Sequence, residues 1–166
     1  MAEARRPRGL IDTSVVVALE HIDPEDLPIE LAVSAVTMAE LAAGPHVTQD
    51  TAERARRQDR LQRAEASFTA LPVDADVARA YGRVYAQAAE SGRKARGRRP
   101  FDLLIAATAL AGELPLYTGN PRDFSDLGGV VEVVPVEMVS EQPRGERPRS
   151  AQQAHHRRRS DRQSRP

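Results

Sequence analysis

The sequence predicts an α/β domain built on a parallel sheet covered on both faces. Two observations lead there. Short apolar runs that read as strands recur at residues 10–11, 31–36, 114–118 and 130–134. Segments with helical periodicity separate them, as parallel connections require.

The first run, Leu10-Ile11, ends at Asp12 and passes through Thr13-Ser14 into a second apolar run at residues 15–19. This reads as a strand turning into a helix. An aspartate set between two apolar stretches is costly to bury without a partner or a metal. In parallel sheets, ligands bind at the carboxyl ends of the strands, where Asp12 falls. Residues 1–8 read as a disordered lead and residues 21–28, with Pro24 and Pro28, as a loop.

After the second strand, Thr37 is positioned to cap a helix running to Gly44-Pro45. Residues 50–68 form a long polar helix dense in Arg and Glu with one solvated face, and Leu71-Pro72-Val73 a short edge-like segment. Asp74 caps the next helix, where Val77, Ala80, Tyr81, Val84 and Ala88 fall at helical spacing. A Gly- and Arg-rich loop at residues 91–100 leads through Pro100-Phe101-Asp102 into a strongly apolar helix that Gly112 ends. The turn Gly119-Asn120-Pro121-Arg122-Asp123-Phe124 follows the third strand, and residues 9–137 make up the domain. From residue 141 the chain is Arg, Pro, Gln and Ser without hydrophobic pattern, a disordered tail.

Composition removes several chemistries. The 166 residues contain no Cys, so disulfides, thiol catalysis and cysteine zinc sites are excluded. No apolar run approaches the roughly 20 residues of a membrane span, and a cytoplasmic location fits. There is no Walker loop or dinucleotide fingerprint, and Ser14 has no paired His in a recognisable motif. Net charge is zero but uneven: the tail from residue 141 holds eight Arg against three acidic residues, so residues 1–140 carry the compensating −5. An acidic domain that handles nucleic acid needs a local reason, such as a metal site.

Asp12, Glu40, Asp102 and Asp123 stand at strand ends or helix starts rather than on polar faces. Singly, three of them have plain structural readings. Thr37-x-x-Glu40 matches a capping box, Asp102 suits the positive end of its helix, and Asp123 suits a turn. Together they would converge on one edge of a parallel sheet. Clustered carboxylates need a counter-cation, and oxygen-only ligands select Mg²⁺ or Mn²⁺. Such a site binds a phosphate oxygen and orients water for in-line displacement. The Ser14 hydroxyl is placed to orient Asp12 or to touch the metal's coordination sphere. Arg93, Lys94, Arg96, Arg98 and Arg99 form either a solvated loop or a hold on a phosphate backbone near Asp102.

Four segments in this order carry a resemblance: Leu-Ile-Asp12-Thr-Ser14-Val-Val, Val-Thr-Met-Ala-Glu40-Leu-Ala-Ala-Gly, Phe-Asp102-Leu-Leu-Ile-Ala-Ala-Thr-Ala and Leu-Tyr-Thr-Gly-Asn120-Pro-Arg-Asp123-Phe. The set resembles the PIN-domain ribonucleases, and more closely the VapC toxins of type II toxin–antitoxin systems. The resemblance implies a three-layer α/β/α domain with a parallel five-stranded sheet. It implies Mg²⁺- or Mn²⁺-dependent endonucleolytic cleavage of RNA, a VapB-type antitoxin and a homodimer. Asp12, Glu40 and Asp102 match the family's acidic metal positions. Asp123 is favoured on charge as the fourth, with Asn120 a direct ligand or a support for it. The competing class is a catalytically silent PIN-like module that binds RNA or a protein.

Overall fold

The computed structural model describes residues 5–92, 97 and 99–137. In chain order the elements are β1 (Arg8–Ile11), α1 (Thr13–Ala18), β2 (Glu30–Ala32), α2 (Ala35–Ala43), α3 (Thr51–Ser67), α4 (Ala75–Glu90), α5 (Arg99–Ala111), β3 (Leu116–Thr118) and β4 (Val133–Pro135). The strands form one parallel sheet in the order β2-β1-β3-β4. Chain order reverses between β1 and β3, which opens a crevice beyond their carboxyl ends.

Alternation along each strand builds the layers. Leu10 and Leu116 enter one core with Val77, Ala80 and Val84 of α4 and Leu103, Ile105 and Ala106 of α5. Ile11 and Tyr117, one residue on, enter the opposite core with Val15 of α1, Leu41 of α2 and Leu61 and Ala64 of α3. Each fully buried Leu or Ile contributes about 1.5–3 kcal/mol. With so few aromatic residues, short aliphatic side chains fill both layers. α3 buries only Leu61 and Ala64, as its sparse apolar pattern predicts.

The structure differs from the resemblance in strand number and from the sequence reading at two strands and at the lead; the last strand, expected over residues 130–134, is β4 (Val133–Pro135), because residues 128–130 turn. The sheet has four strands rather than five. The edge-like segment contributes a single parallel bridge, Leu71 to Ser34, and Pro72, with no N–H, cannot extend it. The strand expected over residues 31–36 is β2 alone, because Ser34 rather than Thr37 caps α2, accepting from the Thr37 N–H at 3.0 Å. Last, residues 5–8 are not a loose lead. The Arg5 Nε donates to the Leu27 carbonyl at 2.9 Å, and the carbonyls of Arg6 and Pro7 accept from Ile29 and Glu30. Parallel pairing with the segment before β2 therefore begins ahead of β1. The tail from residue 141 lies outside the described residues.

Gly9 in β1 sits where no side chain fits. A Cβ there would stand 2.5 Å from Tyr117 Cε2 and 3.0 Å from Pro28 Cγ. Gly9→Ala is expected to cost about 1–3 kcal/mol, lowering the thermal midpoint by several degrees. An unchanged melting curve would contradict the close approach of Tyr117 to this strand.

Candidate functional site at the strand switch

Asp12 follows β1 directly and is 5% exposed. It is also the N-cap of α1, with Oδ1 accepting from the Val15 N–H at 3.0 Å. This structural role was not read from the sequence. The Ser14 hydroxyl donates to Oδ1 at 2.6 Å, and the Thr118 hydroxyl, at the end of β3, donates to Oδ2 at 2.5 Å. Both hydroxyls also accept: Ser14 from the Gly119 N–H and Thr118 from the Asn120 N–H, each at 2.9 Å. One carboxylate thus ties the ends of the two central strands to the turn after β3. Thr118 was missed because a threonine in a strand carries no signal of its own.

No cation among the described residues pairs with Asp12. Burial pushes its carboxyl above the ordinary aspartate value; the hydrogen bonds from Ser14, Thr118 and Val15 pull it down without overcoming that.

Glu40 lies in the middle of α2, five residues past the helix start, so the capping-box reading does not hold. Its carboxylate accepts from the Thr13 hydroxyl. Asp12 and Glu40 are thereby joined through adjacent residues of one turn. Asp102 is half-buried in the first turn of α5, which packs on α2. Asn120 and Asp123 are exposed in the turn after β3, the Asp123 N–H donating to the Asn120 carbonyl at 3.0 Å.

Arg99 is not the phosphate contact considered for its loop. It is the first residue of α5, is 7% exposed, and is engaged with Asp126 and the Asp123 carbonyl. The cue was Pro100, which suits a helix's first turn and so moves Arg99 from loop to helix. Arg93, Lys94, Arg96 and Arg98 lie outside the described residues.

A groove of about 640 Å³ opens beside Glu40, lined by Thr13, Val47, Arg57, Arg60 and Phe101 among others. A second, of about 460 Å³, runs on the far side of α3 past His21, Arg56 and Arg63. Arg60 borders both. Most arginines of this helix are engaged: Arg54 with the Thr48 carbonyl, Arg56 and Arg57 with Glu53, and Arg63 with Glu20. Arg60 makes no hydrogen bond or ion pair among the described residues. Its signal was an arginine recurring at three- and four-residue steps, which also describes an ordinary solvated face.

The donors here are carboxylate and hydroxyl oxygens, which suit a hard divalent cation, and a buried anion lacking a cationic partner is its natural anchor. Among the described residues, no group of three or more His, Cys, Asp or Glu side chains is drawn together closely enough to hold an ion. Asp12 and Glu40 are linked through Thr13, the residue after Asp12, whose hydroxyl donates to Glu40.

The raised Asp12 carboxyl fixes the sign of a stability effect. Its neutral form is the better-tolerated one, so its contribution is complete below the unfolded aspartate value and is lost as pH rises through the raised value. Asparagine keeps the cap and can donate to Thr118. In EDTA at pH 7.5, Asp12→Asn is expected to melt higher than the parent, and the difference should close as pH falls toward 4. A lower midpoint at neutral pH would show that the charge is stabilising.

A PIN domain family model matches residues 9–130. Ribonuclease VapC5 of Mycobacterium tuberculosis is 39% identical over 128 residues, covering 75% of this chain and 91% of that protein. Ribonuclease VapC8 of the same species is 37% identical over 110 residues, covering 66% and 96%. Among solved structures, VapBC-5 of M. tuberculosis, a member of the VapBC family of toxin–antitoxin systems, aligns at a TM-score of 0.69 with 39% identity, covering 78% of this chain and 99% of that one. VapBC2 from Rickettsia felis aligns at 0.62 with 20% identity over 78% and 99%, a likeness of fold. With its buried Asp12 at the strand switch and Glu40 beside it, the chain belongs to the PIN-domain family and, within it, to the VapC ribonucleases.

Proposed function

We propose that this protein is a toxin endoribonuclease that hydrolyses RNA phosphodiesters in the crevice beyond β1 and β3, using Mg²⁺ or Mn²⁺, and that a VapB-type antitoxin neutralises it. The observation that carries this reading is the Asp12 carboxylate: buried, ringed by hydroxyls and an amide, and without a cation among the described residues. A structural aspartate at that position gains a cap but loses solvation. A metal anchor explains the loss.

In this reading Asp12 is the fixed ligand, held by Ser14 and Thr118. Glu40, Asp102 and Asp123 complete the set directly or through water, with Asn120 supporting the last. A cation held by these residues would offset the negative charge of the phosphate and lower the pKa of a bound water. Arg60, on the rim of the groove that starts at Glu40, is placed to hold a neighbouring phosphate of the strand through its two-pronged guanidinium. Its helix carries Arg54, Arg56, Arg57, Arg60 and Arg63, which counters the acidic character of the rest of the domain.

The relatives' names support ribonuclease activity, and the VapBC-5 complex supports an antitoxin partner. Exposed Val17, Val47 and Phe101 along the same groove offer such a partner an apolar seat. A homodimer is part of the same reading, supported by the family resemblance. No described helix is long and apolar enough to cross a membrane.

The test is cleavage of total cellular RNA by partner-free protein with Mn²⁺, Mg²⁺ or EDTA. Fragments should require the metal and fall by on the order of 100-fold or more in Asp102→Ala, while Arg60→Ala should raise KM more than it lowers kcat. Cleavage that persists in EDTA, or intact RNA under every condition, would overturn the assignment.

A further inference from the structure

Arg99 opens α5, and its guanidinium reaches the turn that follows β3. The pair it makes with Asp126 is enclosed, the two side chains being 8% and 5% exposed. Nη2 donates to both Asp126 oxygens, at 2.6 Å to Oδ1, while Nη1 donates to the backbone carbonyl of Asp123. The Ser91 hydroxyl adds a contact of 3.1 Å to Asp126 Oδ2. Burial pushes the Asp126 carboxyl up, but the Arg99 hydrogen bonds and charge outweigh it and hold the carboxyl below the ordinary value, so the pair stays ionised. The Arg99 Nε is buried with no hydrogen-bond partner among the described residues.

A buried ion pair is a poor source of net stability, since apolar residues of similar volume often serve as well, and an orphaned Nε makes this one poorer still. What the pair supplies is geometry. The guanidinium is a rigid planar fork, and here it spans a side chain and a main-chain oxygen at once. Asp102 stands three residues on from Arg99, one turn along the same face of α5. Asp123 is the residue whose carbonyl Arg99 holds. A single side chain thus ties the helix start that carries one acid to the turn that carries the other.

We propose that Arg99, locked by Asp126, is a positioning residue that sets the separation of Asp102 and Asp123. The inference rests on the proposed reading of these two acids as metal ligands. Arg99 touches neither substrate nor ion; it acts through the backbone of the 120–124 turn.

The discriminating variant is Arg99→Lys. An ammonium keeps the charge opposite Asp126 but cannot also span to the Asp123 carbonyl in a fixed plane. Folding should persist, Mn²⁺ affinity measured by calorimetry without RNA should fall about tenfold, and the amides of Arg122, Asp123 and Phe124 should exchange with deuterium faster. Because Arg99 acts through Asp123, adding Asp123→Asn to Arg99→Lys should lower affinity little further. Unchanged affinity and exchange, or losses that add in full, would overturn the proposal. Should Arg99→Lys fail to fold, the double variant Arg99→Met with Asp126→Leu removes the pair without leaving a lone buried charge and takes the same measurements. If the parent protein binds no Mn²⁺, the nuclease reading fails with it, and exchange in the 120–124 turn then decides on the tether alone.

Discussion

Burying one carboxylate at the meeting point of two parallel strands is the constraint on which the rest depends. Asp12 sits buried at the carboxyl ends of the paired strands β1 and β3, and three donors hold it there. Ser14 and Thr118 are bonded on both sides, so Asp12 also fixes the start of the turn after β3. The same residue starts α1, whose first side chain, Thr13, reaches Glu40 on α2. Backbone architecture and site geometry are here one hydrogen-bonded network.

That network shows why part of the site could be read from the sequence and part could not. Asp12 stood out because an acid between apolar runs breaks the hydrophobic pattern. Asp102, at the head of a strongly apolar helix, broke it in the same way. Glu40 was harder. Its spacing from Thr37 imitates a capping box, and only the helix start at Ser34, set by the end of β2 and the bridge to Leu71, removes that duty. Thr118 and Asp126 were invisible because a strand threonine and a turn aspartate are ordinary. Their roles come from residues far away in the chain, 106 positions for Thr118 and Asp12 and 27 for Asp126 and Arg99.

The fold was legible for the same reason. Strands buried on both faces leave continuous apolar runs, and helices between them dictate parallel pairing. The four apolar runs are the four strands of the sheet, and the fifth strand came from the family resemblance alone; strand ends were not legible, since β3 and β4 each hold three residues and one proline separates a bridge from a strand. The arginines divided in an unexpected way. Arg99 was grouped with its loop but is enclosed within the domain, whereas Arg60, in a helix that reads as solvated, borders the groove at Glu40. Local sequence reports charge, and only packing reports whether the charge faces water, a partner or a ligand.

The central claim is that Asp12 is an anion whose missing partner is a divalent cation. Its most direct test follows the Asp12 side-chain carboxyl by carbon NMR through a pH titration, with and without Mg²⁺. The predicted result is a carboxyl titrating above the ordinary aspartate range in the free protein and falling well below it when Mg²⁺ is present. An ordinary titration that Mg²⁺ leaves unmoved would contradict the claim and leave Asp12 as the cap of α1 and nothing more.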